Sequence, residues 1–301
     1  MTRTPRTRAD WQIQRNRLEK AANRAGEILG VIGGLWAPID PFAIAASEES
    51  ITVIGDDFKN RFDGQLEYHR KQGQFLLFYN SKYDVGVAAG LHHSRTRFSV
   101  AHELGHFYLD AHHAHLRRGG AAHGSRGEFA TDVMIEREAD AFAAAMLLPA
   151  KLVRPLVNQD ELSLVVVKEV AMQFNTSLVS TAIRCVSLSD FPCAVVGLRD
   201  GVVAWTAMSS PVIDAGFYPP ARGSSPSRST MESWRQFQAG EAFGKGSAFG
   251  KEWFRTYDRD DLERVHVTEH YLPVQSMETL VVLLSVPEDE LASDSDDDDD
   301  L

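Results

Sequence analysis

His102, Glu103 and His106 form an H-E-x-x-H motif within the stretch RTRFSVAHELGHFYLD. Residues four apart lie on one face of an α-helix, so the two histidines can direct ring nitrogens at a single metal ion. Glu103 then lies on the neighbouring face, beside the coordination position that a catalytic zinc leaves open for water. The spacing therefore predicts metal-assisted hydrolysis, provided that the chain supplies a third protein ligand.

A second stretch, MIEREADAFAAAMLLP, offers carboxylates for that third position. Glu136 and Asp140 are four residues apart on one helical face, so one can bind the metal while the other orients a histidine. Glu138 is a rival third ligand, because it lies in the same stretch. Small residues such as Ala139 would let this helix approach the histidine helix closely, as a shared metal requires.

Short runs rich in β-branched and aromatic residues precede the histidines and predict a small sheet. The runs SITVIG, GQLEYH and QFLLFYN begin at residues 50, 64 and 74. The third run, residues 74–80, is either an ordinary buried strand or an edge to which an extended substrate could add.

Apolar residues at helical spacing predict helices before and after this sheet. We expect a helix over residues 11–32 that ends at the Gly33–Gly34 pair, and the histidine helix over residues 97–109. The carboxylate helix is expected over residues 131–148, where Pro149 stops it.

The segment AHHAHLRRGGAAHGSRGE, residues 111–128, is rich in Gly and His and is predicted to be a loop. We expect its histidines to be solvated rather than to bind the metal; they are His112, His113, His115 and His123. A hydrolytic site also needs a donor for the developing oxyanion, and Tyr108, Arg137 and these histidines are candidates.

Two apolar helical runs flank FNTS within residues 160–188, in an arrangement like a helix-turn-helix. This stretch carries only Lys168 and Arg184 against three acidic residues, too little positive charge to bind phosphates. A packing role is therefore favoured over direct DNA binding. Residues 192–286 read as a separate α+β unit, with a hairpin around Asp200–Gly201 and a buried strand at LVVLLSV.

Charge and composition are those of an ordinary globular protein with an acidic end. The net charge is -11, but nine acidic residues lie between Glu288 and Asp300, which leaves only -2 for the rest of the chain. We expect residues 288–301 to be a solvated, disordered tail. Cys185 and Cys193 are predicted to be reduced, buried thiols. With no run of about 18 apolar residues, we expect a soluble, cytoplasmic protein without membrane contact.

RFSVAHELGHFYLD followed by IEREADAFAAAMLLP resembles the ImmA/IrrE family of metallo-endopeptidases, in its long form. The resemblance implies an α+β fold: a zincin-like (gluzincin) metallopeptidase domain with helix-turn-helix-like helices, then a GAF-like domain. The boundaries are expected at 1–158 for the metallopeptidase, 159–190 for the helix-turn-helix-like segment, 191–287 for the GAF-like domain and 288–301 for the tail. One departure is Asp110, where the family commonly has histidine.

The same resemblance implies that His102, His106 and Glu136 bind Zn²⁺, with Mn²⁺ as a substitute in vitro, and that Glu103 is the general base. Glu136 is preferred to Glu138 because only Glu136 has a carboxylate, Asp140, four residues on.

The family's substrates are helix-turn-helix repressors, and their cleavage switches on stress-response genes, including those for DNA damage, or mobile-element genes. A signal ligand or partner is expected at the C-terminal domain. Two alternatives stay open: a non-catalytic regulator with structural zinc, and a regulator that binds DNA through residues 160–188.

Overall fold

The computed structural model describes residues 8–33, 35–119, 133–241, 244–256 and 262–291. Some expectations therefore fall partly outside the described residues, because they concern Gly34, His123, the helix start at residues 131–132 and residues 292–301. The contacts divide the chain into two compact units, Met1–Ala150 with Met172–Ser177, and Lys151–Ala171 with Leu178–Leu301.

The first unit begins with the long helix α1, Arg8–Ile32, as the apolar spacing predicts. Gly33 follows it with a φ of +76°, a left-handed conformation that favours glycine at the end of a helix. A short helix, α2 (Pro41–Ser47), follows after Asp40, whose side chain caps it by accepting from the backbone N–H of Phe42 at 2.9 Å.

The sheet of the first unit contains the three strands that the sequence predicts, β1 (Ile51–Asp56), β2 (Gly64–His69) and β3 (Gln74–Asn80). β3 pairs in parallel with β1 and antiparallel with β2, so it lies in the centre. The idea that residues 74–80 form a substrate-binding edge is therefore wrong. Two neighbours satisfy the main chain of β3, and its buried Phe75 and Leu77 belong to the core.

The histidine helix, α3, covers Ser94–Tyr108, and Asp84 secures its start. The Asp84 carboxylate accepts from the backbone N–H of His93 and from the Thr96 hydroxyl, each at 2.8 Å, and contacts His92 Nδ1 at 2.7 Å. Burial opposes ionisation of Asp84, but these hydrogen bonds outweigh it and hold the pKa below its ordinary value.

The carboxylate helix, α5, covers Met134–Leu147 and packs directly on α3. Gly105 allows the close approach, because a Cβ there would lie 3.2 Å from both Cα and the carbonyl oxygen of Ala139. The expectation that small residues bring these helices together is confirmed. α1 packs on α5 as well.

Part of the predicted histidine-rich loop is a helix, α4, covering Asp110–Arg117. Leu109 is extended, with φ −82° and ψ 114°, and separates α4 from α3. The loop prediction is wrong here because Leu116 and His112 supply buried side chains on one face of this segment, which composition alone does not show. His115 is exposed, as expected of a solvated histidine.

The second unit contains helices, most of them short, and one antiparallel sheet. Its helices are α6 (Ala150–Val157), α7 (Leu164–Phe174), α8 (Leu178–Leu188), α9 (Ser210–Asp214), α10 (Arg228–Ala239) and α11 (Gly250–Trp253). Its strands are β4 (Cys193–Arg199), β5 (Val202–Met208), β6 (Lys245–Phe249), β7 (His266–Val274) and β8 (Thr279–Ser285), in the order β5-β4-β8-β7-β6.

Several local predictions for this unit are confirmed. α7 and α8 flank the FNTS turn, and β4 and β5 form the hairpin around Asp200–Gly201, both of which have positive φ. The predicted strand LVVLLSV is the central, buried β8. Cys185 and Cys193 are free and buried, and burial raises the pKa of their thiols to about 12 and about 11.

The start of the expected acidic tail is folded, which corrects its boundary. Glu288–Glu290 form a short 3-10 helix, in which Glu290 contacts His266 Nδ1 at 3.0 Å. Leu291 packs against the core of the second unit. The expectation of disorder from residue 288 is therefore wrong for residues 288–291.

The described residues thus form a mixed α+β fold, as predicted, with one sheet in each unit. No helix in the described ranges is long and apolar enough to cross a bilayer.

Candidate metal centre

The two motif histidines project side by side from α3, one helical turn apart. His102 and His106 are buried, and their Nε2 atoms lie 3.1 Å from each other. Two ring nitrogens at this separation can share one cation, because each offers a lone pair when its proton is on Nδ1.

Glu136, in the first turn of α5, completes a group of three candidate ligands. Its Oε2 lies 3.3 Å from His102 Nε2, and its Oε1 lies 3.7 Å from His106 Nε2. Tetrahedral zinc with ordinary ligand distances separates its ligand atoms by about 3.3–3.5 Å. Oε1 is also buried without a hydrogen bond from the described residues. Spacing and the unsatisfied oxygen both fit a metal ion.

Asp140 orients His102, as the sequence suggests. Its Oδ1 lies 2.9 Å from His102 Nδ1, on the side of the ring away from the cluster. A carboxylate only accepts, so the proton of His102 is drawn to Nδ1 and the lone pair to Nε2.

Glu138, the rival third ligand, faces elsewhere. Its carboxylate forms a two-point contact with Arg17 of α1, at 2.7 and 3.0 Å, and lies 3.1 Å from His112 Nε2. The group of candidate ligands found in the described residues contains Glu136 and not Glu138.

His112 was expected to be solvated, but the structure buries it beside His106. The two Nδ1 atoms are 3.1 Å apart. Burial lowers the pKa of His112, although the contact with Glu138 opposes this. No motif in the sequence indicated the contact, because it depends on the chain turning at Leu109.

Glu103 is fully buried on α3 and lines a small cavity beside the cluster. The cavity is also lined by Leu66, Ile135, His106, His112, His115 and Leu116. A carboxylate in this position can take a proton from a molecule bound in the cavity.

The oxyanion donors proposed from the sequence are mostly engaged away from the cavity. Tyr108 donates its hydroxyl hydrogen to Glu48 at 2.5 Å, and Arg137 donates to Gln14 at 2.9 Å. His113 contacts the carbonyl oxygen of Phe107 at 2.8 Å. Of these candidates, His115 and His112 line the cavity.

The electrostatics of the cluster favour positive charge. Burial disfavours the charged imidazole of His102, but Asp140 and Glu136 outweigh it and raise the pKa to about 10. Burial likewise opposes ionisation of Glu136, but both histidines hold its pKa well below the ordinary range. Burial lowers the pKa of His106. A buried anion that draws a proton onto one imidazole also attracts a divalent cation, which competes with that proton.

Two histidines, a carboxylate and a buried glutamate within an α+β unit form a candidate metal centre. Residues 63–186 match the sequence profile of the Peptidase_M78 family, the IrrE N-terminal-like domain. Residues 63–186 are therefore similar to the IrrE N-terminal-like domain, and for this part of the chain the resemblance seen in the sequence is confirmed.

Similarity to solved structures is limited. A solved structure of a Mycobacterium tuberculosis transcriptional regulator is similar over 88% of this chain and 75% of that one, with 11% sequence identity and a TM-score of 0.47. No curated protein matches the chain.

Proposed function

We propose that this protein is a zinc-dependent endopeptidase that cleaves a helix-turn-helix (XRE-type) repressor at a specific site and thereby derepresses stress-response or mobile-element genes. The observation that carries the proposal is the convergence of His102, His106 and Glu136 beside the buried Glu103. A purely structural metal site has no need of that glutamate. The family of residues 63–186 supports a metallopeptidase or regulator.

In the proposed reaction, His102, His106 and Glu136 would hold the metal, and Asp140 would orient His102. When bound, zinc supplies a Lewis acid that polarises the scissile carbonyl and lowers the pKa of water. Glu103 accepts the proton of the attacking water on its carboxylate and passes it to the nitrogen of the leaving amine. Mn²⁺ is proposed as a substitute in vitro.

Substrate is proposed to enter as an extended segment beside β2, the edge strand that runs past the site. Leu66 of β2 lines the cavity together with Glu103, and β2 pairs with β3 alone among the described strands. The edge of β2 opposite β3 can add a further strand by main-chain hydrogen bonds.

Direct DNA binding is not part of the proposal. α8 would be the recognition helix, yet its face is largely occupied by packing on β4 and β5. Its Val179, Ala182, Cys185 and Val186 are buried, whereas a recognition helix must expose the residues that contact bases.

The second unit is proposed to contain the GAF-like domain and to bind a signal ligand or partner. We retain the boundaries 1–158, 159–190 and 191–287 as proposals, although the contacts divide the chain nearer to Ala150. The cellular site of action is proposed to be the cytoplasm, where repressors are found.

The decisive experiment compares wild type with Glu103→Gln on the helix-turn-helix repressor encoded nearest to this chain's gene. The amide has nearly the same volume but cannot accept the water proton, and loss of a general base costs about 10²–10⁴-fold in rate. We expect the variant to retain zinc and bind the repressor while hardly cleaving it. Glu232→Gln, an exposed position on α10, is the control and should cleave normally.

Cleavage by Glu103→Gln at the wild-type rate would remove Glu103 from the mechanism. Derepression by wild type without any cleavage would favour the non-catalytic regulator instead.

A further inference from the structure

The ring of His106 contacts a second histidine on the side away from the candidate metal position. His106 Nδ1 lies 3.1 Å from His112 Nδ1, and His112 Nε2 lies 3.1 Å from Glu138 Oε2. Glu138 is in turn held by Arg17. The four side chains form a continuous chain of polar contacts from α1 to the candidate ligands.

The chemistry of these groups fixes the direction of each hydrogen bond. A carboxylate only accepts, so His112 must carry its proton on Nε2 to bond with Glu138. His106 Nε2 lies 3.1 Å from His102 Nε2 at the candidate metal position, so a lone pair on Nε2 for the metal leaves the proton of His106 on Nδ1. The 3.1 Å contact between the two Nδ1 atoms needs one proton, so His106 must donate it.

We propose that His112 and Glu138 are positioning residues that fix His106 as the Nδ1–H tautomer and leave its Nε2 lone pair directed at the metal. The proposal rests on the metal site of the proposed function. It assigns to His112 a role like that of Asp140, which acts on His102 directly, whereas the Glu138 carboxylate acts through an intervening imidazole.

The alternative tautomer would be incompatible with the site. If His112 donated from Nδ1, His106 would carry its proton on Nε2, which lies 3.1 Å from His102 Nε2 and faces the cluster. That proton would occupy the position of the metal. Glu138 would also face a ring nitrogen with a lone pair, at 3.1 Å and buried, which is unfavourable.

The first test reads the tautomers directly. Protein labelled with ¹⁵N-histidine is loaded with zinc, and long-range ¹H–¹⁵N NMR spectra report which ring nitrogen carries the proton. We expect Nδ1–H for His106 and Nε2–H for His112, assigned by loss of the signals in single variants. A proton on Nδ1 of His112 in wild type would overturn the proposal.

The second test measures zinc affinity by competition with a chromophoric chelator. Outer partners of metal-binding histidines typically contribute about 10–100-fold in affinity, and we expect losses of that order for His112→Ala and Glu138→Leu. Glu138→Gln should lose less, because its amide oxygen can still accept from His112. His113→Gln, on the same helix but bonded to a backbone carbonyl, should bind zinc as wild type does.

We call the chain Glu138–His112–His106 the relay. The Arg17→Met variant removes the ion pair between Arg17 and Glu138 and leaves the relay itself in place. Arg17 is half exposed, so its removal should change zinc affinity only about twofold. Unfolding curves of the metal-free variants, compared with His113→Gln, show whether each one is folded.

The outcomes separate this proposal from the proposed function. If wild type binds no zinc, both fail. If wild type binds zinc and the folded His112→Ala and Glu138→Leu variants bind it equally well, only the relay is refuted.

Discussion

Replacing Gly105 by alanine tests the close contact of α3 and α5 on which the candidate site depends. The new Cβ would lie 3.2 Å from Ala139 Cα and its carbonyl oxygen, and 3.3 Å from Phe142 Cβ. Ordinary carbon contacts are about 3.5–4.0 Å. Because two of these atoms belong to the backbone, α5 itself must move by a few tenths of an ångström.

The expected free energies can be compared with a matched glycine. Gly26, inside α1, has no atom within 4 Å of a Cβ placed on it, so Gly26→Ala should stabilise the protein by about 1 kcal/mol through helix propensity. Gly105→Ala gains the same stabilisation from helix propensity, but overpacking against α5 destabilises it by about 1–3 kcal/mol. The two variants should therefore differ by that cost.

Calorimetry of the metal-free proteins measures the difference, at roughly 2–4 °C in Tm for each kcal/mol. Gly105 lies between the two histidines in sequence, so movement of α5 should also separate them from Glu136 and weaken zinc binding. If Gly105→Ala is stabilised as much as Gly26→Ala and binds zinc normally, the two helices do not approach as described.

Three further predictions address the ligands, the helix start and the C-terminal end. Wild type should bind about one zinc per chain, and at micromolar zinc Glu136→Ala should lose it while Glu138→Ala retains it, as metal analysis would show. Asp84→Asn should lower the free energy of unfolding at pH 7 by about 1–2 kcal/mol, measured by urea titration. The pKa of Asp84 is lower in the folded protein than in the unfolded chain, so the ionised carboxylate stabilises the fold at pH values above its unfolded pKa. This stabilisation is lost as the pH falls through the folded pKa. Truncation after Pro287 should lower Tm, whereas truncation after Leu291 should not.

Each of these has a result that would contradict it. If Glu136→Ala retains zinc and Glu138→Ala loses it, Glu138 and not Glu136 is the third ligand. A difference between wild type and Asp84→Asn that does not shrink as the pH falls below the unfolded pKa of aspartate would show that the charge is not responsible. Equal Tm values for both truncations would mean that residues 288–291 add nothing to the stability of the second unit.

The spacing of the side chains within each helix could be predicted from the sequence because it depends on helical periodicity, whereas Glu136 as third ligand came with the resemblance to the family. His102 and His106 are one turn apart, and so are Glu136 and Asp140, whatever the rest of the fold does. The strands were found for a similar reason, since β-branched and aromatic residues cluster locally.

What the sequence did not reveal depends on tertiary placement. The order β1-β3-β2 is not written in the composition of any strand. Nor is the helical state of residues 110–117, which follows from the burial of Leu116 and His112. The contact of Arg17 with Glu138 joins residues 121 positions apart, beyond the reach of any local pattern.

The spacing of the acidic residues on α5 explains why one motif histidine needs a relay. Glu136 lies near both Nε2 atoms, and Asp140, one turn further, reaches Nδ1 of His102. No carboxylate of α5 remains on that face for Nδ1 of His106. Glu138 is two residues from each of the others and so points to a different side of the helix. The chain turns after α3 and returns as α4, so that an imidazole bridges this side to His106. α5 thereby supplies Glu136 as a candidate ligand, Asp140 as the direct partner of His102, and Glu138 as a carboxylate that acts on His106 through His112.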